Sequence, residues 1–454
     1  MRLLKEKMKK SKQRSSFKSK FMKKNNKYKK FNLSTLSIHA GQKKDKNYNS
    51  RAVPIYQTTS HLFENHDEAA SIFNLDIDGH IYSRISNPTV SVLEERIAAL
   101  EKGIGAICVS SGQAALHLAL ATLLNKGDHI ISSDRIYGGS RNLLGLTLKR
   151  FGINTSFVDL RNLSLVKKNI KNNTKIIFGE TIGNPGLEVL NMQKVSKICK
   201  KNNILLMVDN TIATPVLFNP IDYGADIVLH SVTKFMGGHG VALGGAIVDS
   251  GNFDWAATKK FKNITESYSG YDNINYLEEF GPAAFLMRAR SEGLRDFGAA
   301  LSAQNAFYLL MGLETLEPRM MKHVSNCEYI AAYLSGREDV NWVLYPGLKS
   351  HKDFQLASKL MPKGAGAILS FGIKGGKKNA IKFINNLKLF SHLANIGDAK
   401  SLVIHPASTT HAQLSKKDLQ KSGITDDLIR LSIGIEDLDD LIEDINFALE
   451  KAKK

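Results

Sequence analysis

Ten residues, Ser231-Val-Thr-Lys234-Phe-Met-Gly-Gly-His-Gly240, place two hydroxyls, a primary amine and a glycine-rich turn directly after a short apolar run. A lysine amine that has lost its proton attacks aldehydes to give a Schiff base, and neighbouring hydroxyls can donate to a phosphate. The same residues would also suit a plain strand-to-loop connection, with Ser and Thr satisfying backbone groups and Lys234 in solvent. The choice turns on whether the chain supplies the remaining parts that an aldehyde-bearing, phosphorylated cofactor needs.

Pyridoxal phosphate is such a cofactor, and each of its requirements has a candidate. Ser111-Gly112-Gln113 opens a helix, whose first N–H groups and positive dipole end favour an anion. Asp209, in Met207-Val-Asp-Asn-Thr211, is a strand-end carboxylate that could hold the proton of the ring nitrogen. Strand-end aspartates also serve as turn or cap residues. Tyr137, in Asp134-Arg-Ile-Tyr-Gly-Gly139, could stack on the ring or simply pack beside a turn. Arg430, in Ile429-Arg-Leu-Ser-Ile433, puts a guanidinium into an apolar run, where a buried charge needs a partner. That partner is either an acidic side chain such as Glu436 or the α-carboxylate of a substrate held bidentately. The purely structural readings would all have to hold together at coordinated strand ends, so a single shared site is the better account.

The elements that must position these residues are legible as well. Between Ile104 and Asp249, β-type runs alternate with helical stretches, the pattern of a parallel sheet with crossover helices. Expected strands are Ala106–Ser110, His129–Ser133, Lys175–Gly179, Ile204–Val208, Asp226–Leu229 and Gly245–Val248, with helices over Gln113–Leu124 and Met192–Asn202. In such a domain the ligand sits beyond the carboxyl ends of the strands. Ser111 to Gln113 follows the first strand, Glu180 the third, Asp209 the fourth and Ser231 to Lys234 the fifth. Ala284–Leu313 reads as one long helix leading to a smaller α+β unit, with strands near Ala367–Ile373 and Ile429–Ile433. Leu438, Ile442, Ile445 and Leu449 recur at helical spacing in a closing helix. Residues 250–281 read as an insertion or long loop.

The 454 residues carry a formal charge of +19, but residues 1–30 alone hold twelve Lys and two Arg against one Glu. That extension is expected to stay disordered, because it has too little apolar surface to offset its ordering entropy. A solvated extension, an electrostatic arm for RNA or acidic membrane, and a targeting peptide all fit its composition; Met22 is an alternative start. No apolar run approaches the roughly 18 residues of a membrane helix, and none before Phe31 forms a secretory core. Cys108, Cys199 and Cys327 are far apart and odd in number, so neither a disulfide framework nor a metal site is expected, and a cytoplasmic setting fits. A basic-arm nucleic-acid binder that has lost catalysis is the rival from another class.

Over about residues 32–453 the chain resembles the cysteine and methionine metabolism family of fold-type-I pyridoxal-phosphate enzymes. The matching stretches are Tyr82-Ser-Arg-Ile-Ser-Asn-Pro-Thr89, Ser110-Ser-Gly-Gln-Ala-Ala115, Gly179-Glu-Thr-Ile-Gly-Asn-Pro185, Asp209-Asn-Thr-Ile-Ala-Thr-Pro215 and Ser231 to Gly240. The resemblance implies an α/β fold with a mainly parallel central sheet and a smaller C-terminal α+β domain. It divides the chain into an extension (1–30), an arm reaching a neighbouring active site (31–80), a cofactor-binding domain (81–285) and a C-terminal domain (286–454). It implies that Lys234 bonds the cofactor, Asp209 pairs the ring nitrogen, Tyr137 stacks on the ring and Asn184 meets the ring hydroxyl. Gly112, Gln113, Ser231 and Thr233 would serve the phosphate, and Arg430 with Asn395 the substrate carboxylate. Tyr82 and Arg84 would reach the phosphate of a neighbouring subunit, so the resemblance implies a homo-oligomer with shared sites, a tetramer of two dimers.

Within the family, Gln113, the segment 250–281 followed by Gly281-Pro-Ala-Ala-Phe285, Ala394 to Leu402 and Ile404 to His411 resemble the O-acetylhomoserine sulfhydrylase branch. The activity implied is γ-replacement, in which O-acetyl-L-homoserine and sulfide or methanethiol give homocysteine or methionine and acetate. Cystathionine γ-synthase, O-succinylhomoserine sulfhydrylase and methionine γ-lyase share the same fold.

Overall fold

The computed structural model describes residues 28, 30–410, 412 and 423–453. Residues 1–27, Met22 among them, and His411 lie outside the described residues. Tyr28, inside the stretch expected to be disordered, is buried; its hydroxyl donates to Glu95 at 2.7 Å and accepts from the Gly41 amide at 2.9 Å.

Seven strands form the central sheet: β1 (Gly105–Val109), β2 (His129–Ser133), β3 (Asn154–Val158), β4 (Thr174–Glu180), β5 (Leu205–Asp209), β6 (Ile227–Ser231) and β7 (Gly245–Asp249). Their order is β1-β7-β6-β5-β4-β2-β3, parallel from β6 to β3, with β7 antiparallel to both its neighbours. Both faces are covered. Ile177, Leu206 and Val208 enter one core, while Ile176, Phe178, Leu205 and Met207 enter the other. Double burial is why these strands read as continuous apolar runs instead of alternating ones. β3, Asn154-Thr-Ser-Phe-Val158, has no counterpart in the sequence reading, because an edge strand that pairs only with β2 and is largely solvated needs no apolar run.

The single helix expected over Ala284–Leu313 is two helices. The first ends at Phe297, where Gly298 takes a left-handed φ of 72°. The carbonyl of Ala299 then accepts from Ser110 at 2.9 Å and Ala300 bridges to Val109, so this stretch leaves the helix to bond the end of β1. Ser302 caps the second helix, Ala303–Glu314, by accepting from the Asn305 amide. Residues 250–281 are likewise more ordered than a loop. They contain helices Lys262–Thr265 and Tyr276–Phe280 and the pair β8 (Ser267–Tyr268) and β9 (Ile274–Asn275). Trp255, Phe261, Tyr276 and Phe280 are buried there, and such a payload of aromatic surface orders a segment that its Gly and Asn content suggests is loose.

A second sheet comprises β10 (Val340–Leu344), β11 (Ile368–Ile373), β12 (Ser391–His392), β13 (Leu402–Ile404) and β14 (Leu428–Ser432), ordered β10-β11-β14-β13-β12. The closing helix Leu438–Lys453 buries Leu441, Ile445 and Leu449. Arg430 lies in β14 and Asn395 in the segment between β12 and β13, so this smaller unit delivers both residues to the cleft.

Two acidic groups at the opposite end of the central sheet give it a pH dependence. Burial pushes Asp226 and Asp249 up to about 7, and one carboxyl oxygen of Asp249 is buried without a partner. Unfolded carboxylates titrate near 4. Between about pH 4 and 7 the folded chain therefore holds protons that the unfolded chain has released, and stability falls as pH rises. Asp249→Asn removes one of these protons. The slope of melting temperature against pH between 5 and 7 is expected to flatten in that variant, and an unchanged slope would assign the dependence elsewhere.

Candidate active site

The carboxyl ends of β4, β5 and β6 bring Glu180, Asp209 and Ser231 side by side, with Glu180 and Asp209 directly paired in register. Asp209 accepts from the Thr211 amide at 2.9 Å, and the Thr211 hydroxyl accepts from the Ser231 amide at 2.8 Å. Thr211 thus ties the carboxylate to the strand that leads to Lys234, a role the sequence reading did not assign although it quoted the residue. Burial raises the pKa of Asp209 above the usual carboxylate range, while the Thr211 hydroxyl and amide and the neighbouring His230 ring pull it back. A cationic ring nitrogen brought against Asp209 would favour the ionised form further.

Lys234 is partly buried, and its amine donates to the side-chain oxygen of Asn395. Burial and then the charge of Arg430 hold it below its ordinary value, so more of the amine is neutral and nucleophilic near pH 7. The loop carrying Lys234 is fixed by Arg319, whose guanidinium donates to the carbonyls of Phe235 at 2.8 Å, Met236 at 3.1 Å and Gly312 at 2.6 Å. Sequence offered no signal for Arg319 as the anchor of this loop, because the two loop partners, Phe235 and Met236, are met through backbone carbonyls more than 80 residues away and carry no side-chain pattern.

Arg430 is only 7% exposed, yet among the described residues it meets no carboxylate. It donates to Asn184 Oδ1 at 3.0 Å and to the Asn395 carbonyl at 3.2 Å. Glu436, the acidic partner considered from sequence, is engaged by the Ser401 amide at 2.6 Å and hydroxyl at 2.9 Å. A buried guanidinium with neutral acceptors alone is ready for an anion.

The helix Gly112–Leu123 starts against β6. Ser111 caps it by accepting from the Ala114 amide, which leaves the amides of Gly112 and Gln113 ahead of the first intrahelical bond and free to bind an anion. A Cβ on Gly112 would lie 2.7 Å from Ser231 Cβ and 2.8 Å from its Cα. Only glycine permits this approach. Gly112→Ala should cost about 1–3 kcal/mol through forced separation of helix and strand. Cofactor affinity, measured by visible absorbance titration, should weaken about tenfold or more, and an unchanged affinity would show that the cradle lies elsewhere.

Other expected residues are placed less directly. The Gln113 side chain donates to the Gly139 carbonyl at 3.1 Å, bracing the loop of Tyr137, so its contribution to an anion is its backbone amide. Thr233 gives its hydroxyl proton to the Gly244 carbonyl at 3.1 Å and accepts from the Gly244 amide at 3.0 Å. That is the structural use of the hydroxyl, and it leaves no proton for a phosphate unless the pair opens. Tyr137 stands 55% exposed at the cleft, its amide bonded to Glu180 at 2.7 Å. Tyr82 and Arg84 pair with each other, the guanidinium 4.9 Å from the Tyr82 ring, and Arg84 donates to the Arg295 carbonyl at 3.1 Å. Among the described residues no hydrogen bond joins Tyr82 or Arg84 to Lys234, Asp209 or Ser231.

A buried amine, a strand-end carboxylate, a glycine cradle at a helix start, an exposed aromatic ring and an unpaired guanidinium are the donor set that pyridoxal phosphate and an amino-acid substrate require, and the residues present fit them. Among the described residues no group of three or more His, Cys, Asp or Glu could hold a metal ion, and no helix is long and apolar enough to cross a membrane.

Comparison with known proteins points to the same cofactor. The chain is 46% identical to an O-acetyl-L-homoserine sulfhydrylase of Leptospira meyeri, covering 92% of this chain and 97% of that protein. It is 48% identical to a homocysteine synthase of Schizosaccharomyces pombe, covering 92% and 98%. A Campylobacter jejuni structure, described as an O-acetylhomoserine (thiol)-lyase with N'-pyridoxyl-lysine-5'-monophosphate, superimposes with a TM-score of 0.89 at 42% identity, covering 92% of this chain and all of that one. With residues 34–450 matching the family model as well, the chain belongs to the Cys/Met metabolism PLP-dependent enzyme family.

Proposed function

We propose that this chain converts O-acetyl-L-homoserine and sulfide, or methanethiol, to L-homocysteine, or methionine, and acetate. The observation that carries an amino-acid substrate is Arg430, a buried cation without an anion, which shares Asn395 with Lys234. The acyl donor and thiol follow the names of the relatives that span nearly the whole chain.

When bound, pyridoxal phosphate supplies an aldehyde that joins amines covalently and a conjugated ring that accepts carbanion charge. Asp209 would hold the proton on the ring nitrogen, and Tyr137 would lie against the ring. The Gly112 and Gln113 amides, with the Ser231 hydroxyl, would bind the phosphate. Arg430 binds the α-carboxylate of the substrate through two N–H groups and turns Cα–H toward the Lys234 amine. Asn395 sets the position of that amine. Lys234 takes the proton from Cα and then one from Cβ, which lets acetate leave from Cγ, and after the thiol has added at Cγ it returns a proton to Cβ and to Cα.

We also read the active form as a homo-oligomer in the cytoplasm. Ile55, Tyr56, Leu62 and Phe73 are exposed apolar residues of the arm, with Leu62 fully exposed, and Tyr82 just beyond it is exposed too, as a surface covered by a second copy would be. Cys108, Cys199 and Cys327 are free and buried, in keeping with a reducing compartment. Light scattering should give a mass above that of one chain.

The deciding experiment offers the purified holoenzyme O-acetylhomoserine with equal sulfide and cysteine, and identifies the products by mass spectrometry. Homocysteine as the main product supports the proposal. Cystathionine or 2-oxobutanoate as the main product would overturn it in favour of a sister reaction on the same fold.

A further inference from the structure

Glu180 ends β4 beside Asp209 and touches both loops that frame the cleft. Its Oε1 accepts from the Tyr137 amide at 2.7 Å, and the Asn184 amide lies close enough to its carboxyl group to favour the charged form. Asn184 in turn accepts from Arg430, and Arg430 and Lys234 both donate to Asn395. A series of contacts therefore crosses the cleft from Tyr137 through Glu180, Asn184, Arg430 and Asn395 to Lys234. Tyr137 and Asn184 lie on different loops, 47 positions apart, and Glu180 is the group that faces the backbone of both.

We propose that Glu180 is a positioning residue, whose carboxyl group fixes the backbone of Tyr137 and of Asn184 and thereby sets the tilt of the aromatic ring and the aim of the Asn184 amide. The inference rests on the cofactor-site reading above, but not on the choice of acyl donor or thiol. Other tethers hold different points of these loops: Gln113 bonds Gly139 at 3.1 Å, Arg135 bonds Glu188 at 2.6 Å and Thr181 bonds Asn210 at 2.8 Å. Burial and then the adjacent Asp209 push Glu180 well above the usual carboxylate range, and the two amide donors oppose them. Retaining a carboxyl group in so unfavourable a place is explained by the amides it holds, for which an apolar side chain offers no acceptor.

The test uses the holoenzyme of Glu180→Ala and Glu180→Gln, reading visible circular dichroism per bound pyridoxal phosphate, the KM and kcat for substrate, and the melting temperature. In the Ala variant the cofactor should still bind, because Lys234 and the Gly112 helix are untouched. Its visible dichroism should weaken as the ring loses its fixed tilt, and kcat/KM should fall about tenfold to a hundredfold. Gln keeps one acceptor oxygen and should recover part of both signals. Wild-type dichroism and kcat/KM in the Ala variant would overturn the proposal, as would a lowered melting temperature with dichroism unchanged. If the Ala variant does not fold, the Gln variant decides by the same two readings, with wild-type values for both overturning the proposal. An unexpected product in the competition experiment would alter the proposed reaction without altering the dichroism, so the two readings fail separately.

Discussion

Replacing Lys234 with Ala is expected to lower turnover by about a thousandfold or more, the largest effect of any single substitution in this site. Two functions vanish with the amine: the covalent hold on the cofactor and the base that moves the proton at Cα. The fold should tolerate the change, because Lys234 is only partly buried and its loop is fixed by Arg319 acting on backbone carbonyls. Pyridoxal phosphate should still bind through the helix start and Asp209, without the absorbance of its lysine adduct. A small primary amine supplied in the buffer should restore a measurable part of the rate, which separates loss of chemistry from loss of structure. Near-normal turnover in the Ala variant would refute the assignment of Lys234.

The contrast between Lys234 and Arg319 shows what the sequence could reveal. Lys234, Asp209 and Ser231 were visible because each follows a buried strand, and a doubly covered parallel strand is an apolar run that composition alone exposes. Their convergence then follows from topology, since strand ends on one edge of a sheet must lie together. Arg319 was invisible because its acceptors on the Lys234 loop are backbone carbonyls, present at every position of every sequence. For the same reason Gly298 and the Ala299 carbonyl, which interrupt the expected long helix to bond β1, left the apolar periodicity around them undisturbed. β3 was missed because a solvated edge strand needs no apolar signature.

Hydroxyls and guanidinium groups mark a subtler boundary. Sequence gave Thr233 and Ser231 equal standing as phosphate donors, yet the Thr233 proton goes to Gly244 while Ser231 faces Gly112 across the cradle. Arg430 could have paired with Glu436 on sequence grounds, but the carboxylate of Glu436 turns to Ser401 instead. Which of two acceptors a donor chooses is decided by distances of a few ångströms between elements far apart in the chain, and residue order does not carry that information. Tyr82 and Arg84 pose the same problem across subunits, since within one chain they find only each other and Arg295.

The choice made by Arg430 leads to the second large effect. Arg430→Ala removes a buried cation whose only fixed partners are Asn184 and Asn395, so no stranded carboxylate is left behind and the fold should survive. What is lost is the anchor for the substrate carboxylate. Deleting one member of a buried charge pair costs about 2–5 kcal/mol, so KM should rise about a hundredfold with a smaller change in kcat. Arg430→Lys keeps the charge without the two-pronged geometry and should fall between the two. The acid limb of the rate profile should move as well. Arg430 now helps to hold Lys234 below its ordinary value, and burial holds Arg430 itself down to about 10, still charged at neutral pH. Without that repulsion the Lys234 amine, once released by substrate, keeps its proton to higher pH, so the acid limb of kcat should shift upward in the Ala variant and stay near the wild-type position in the Lys variant. A raised KM with an unmoved limb would leave Arg430 as a binding group that does not tune Lys234. An unchanged KM would place the carboxylate site elsewhere, and with it the geometry that aims Cα–H at the lysine.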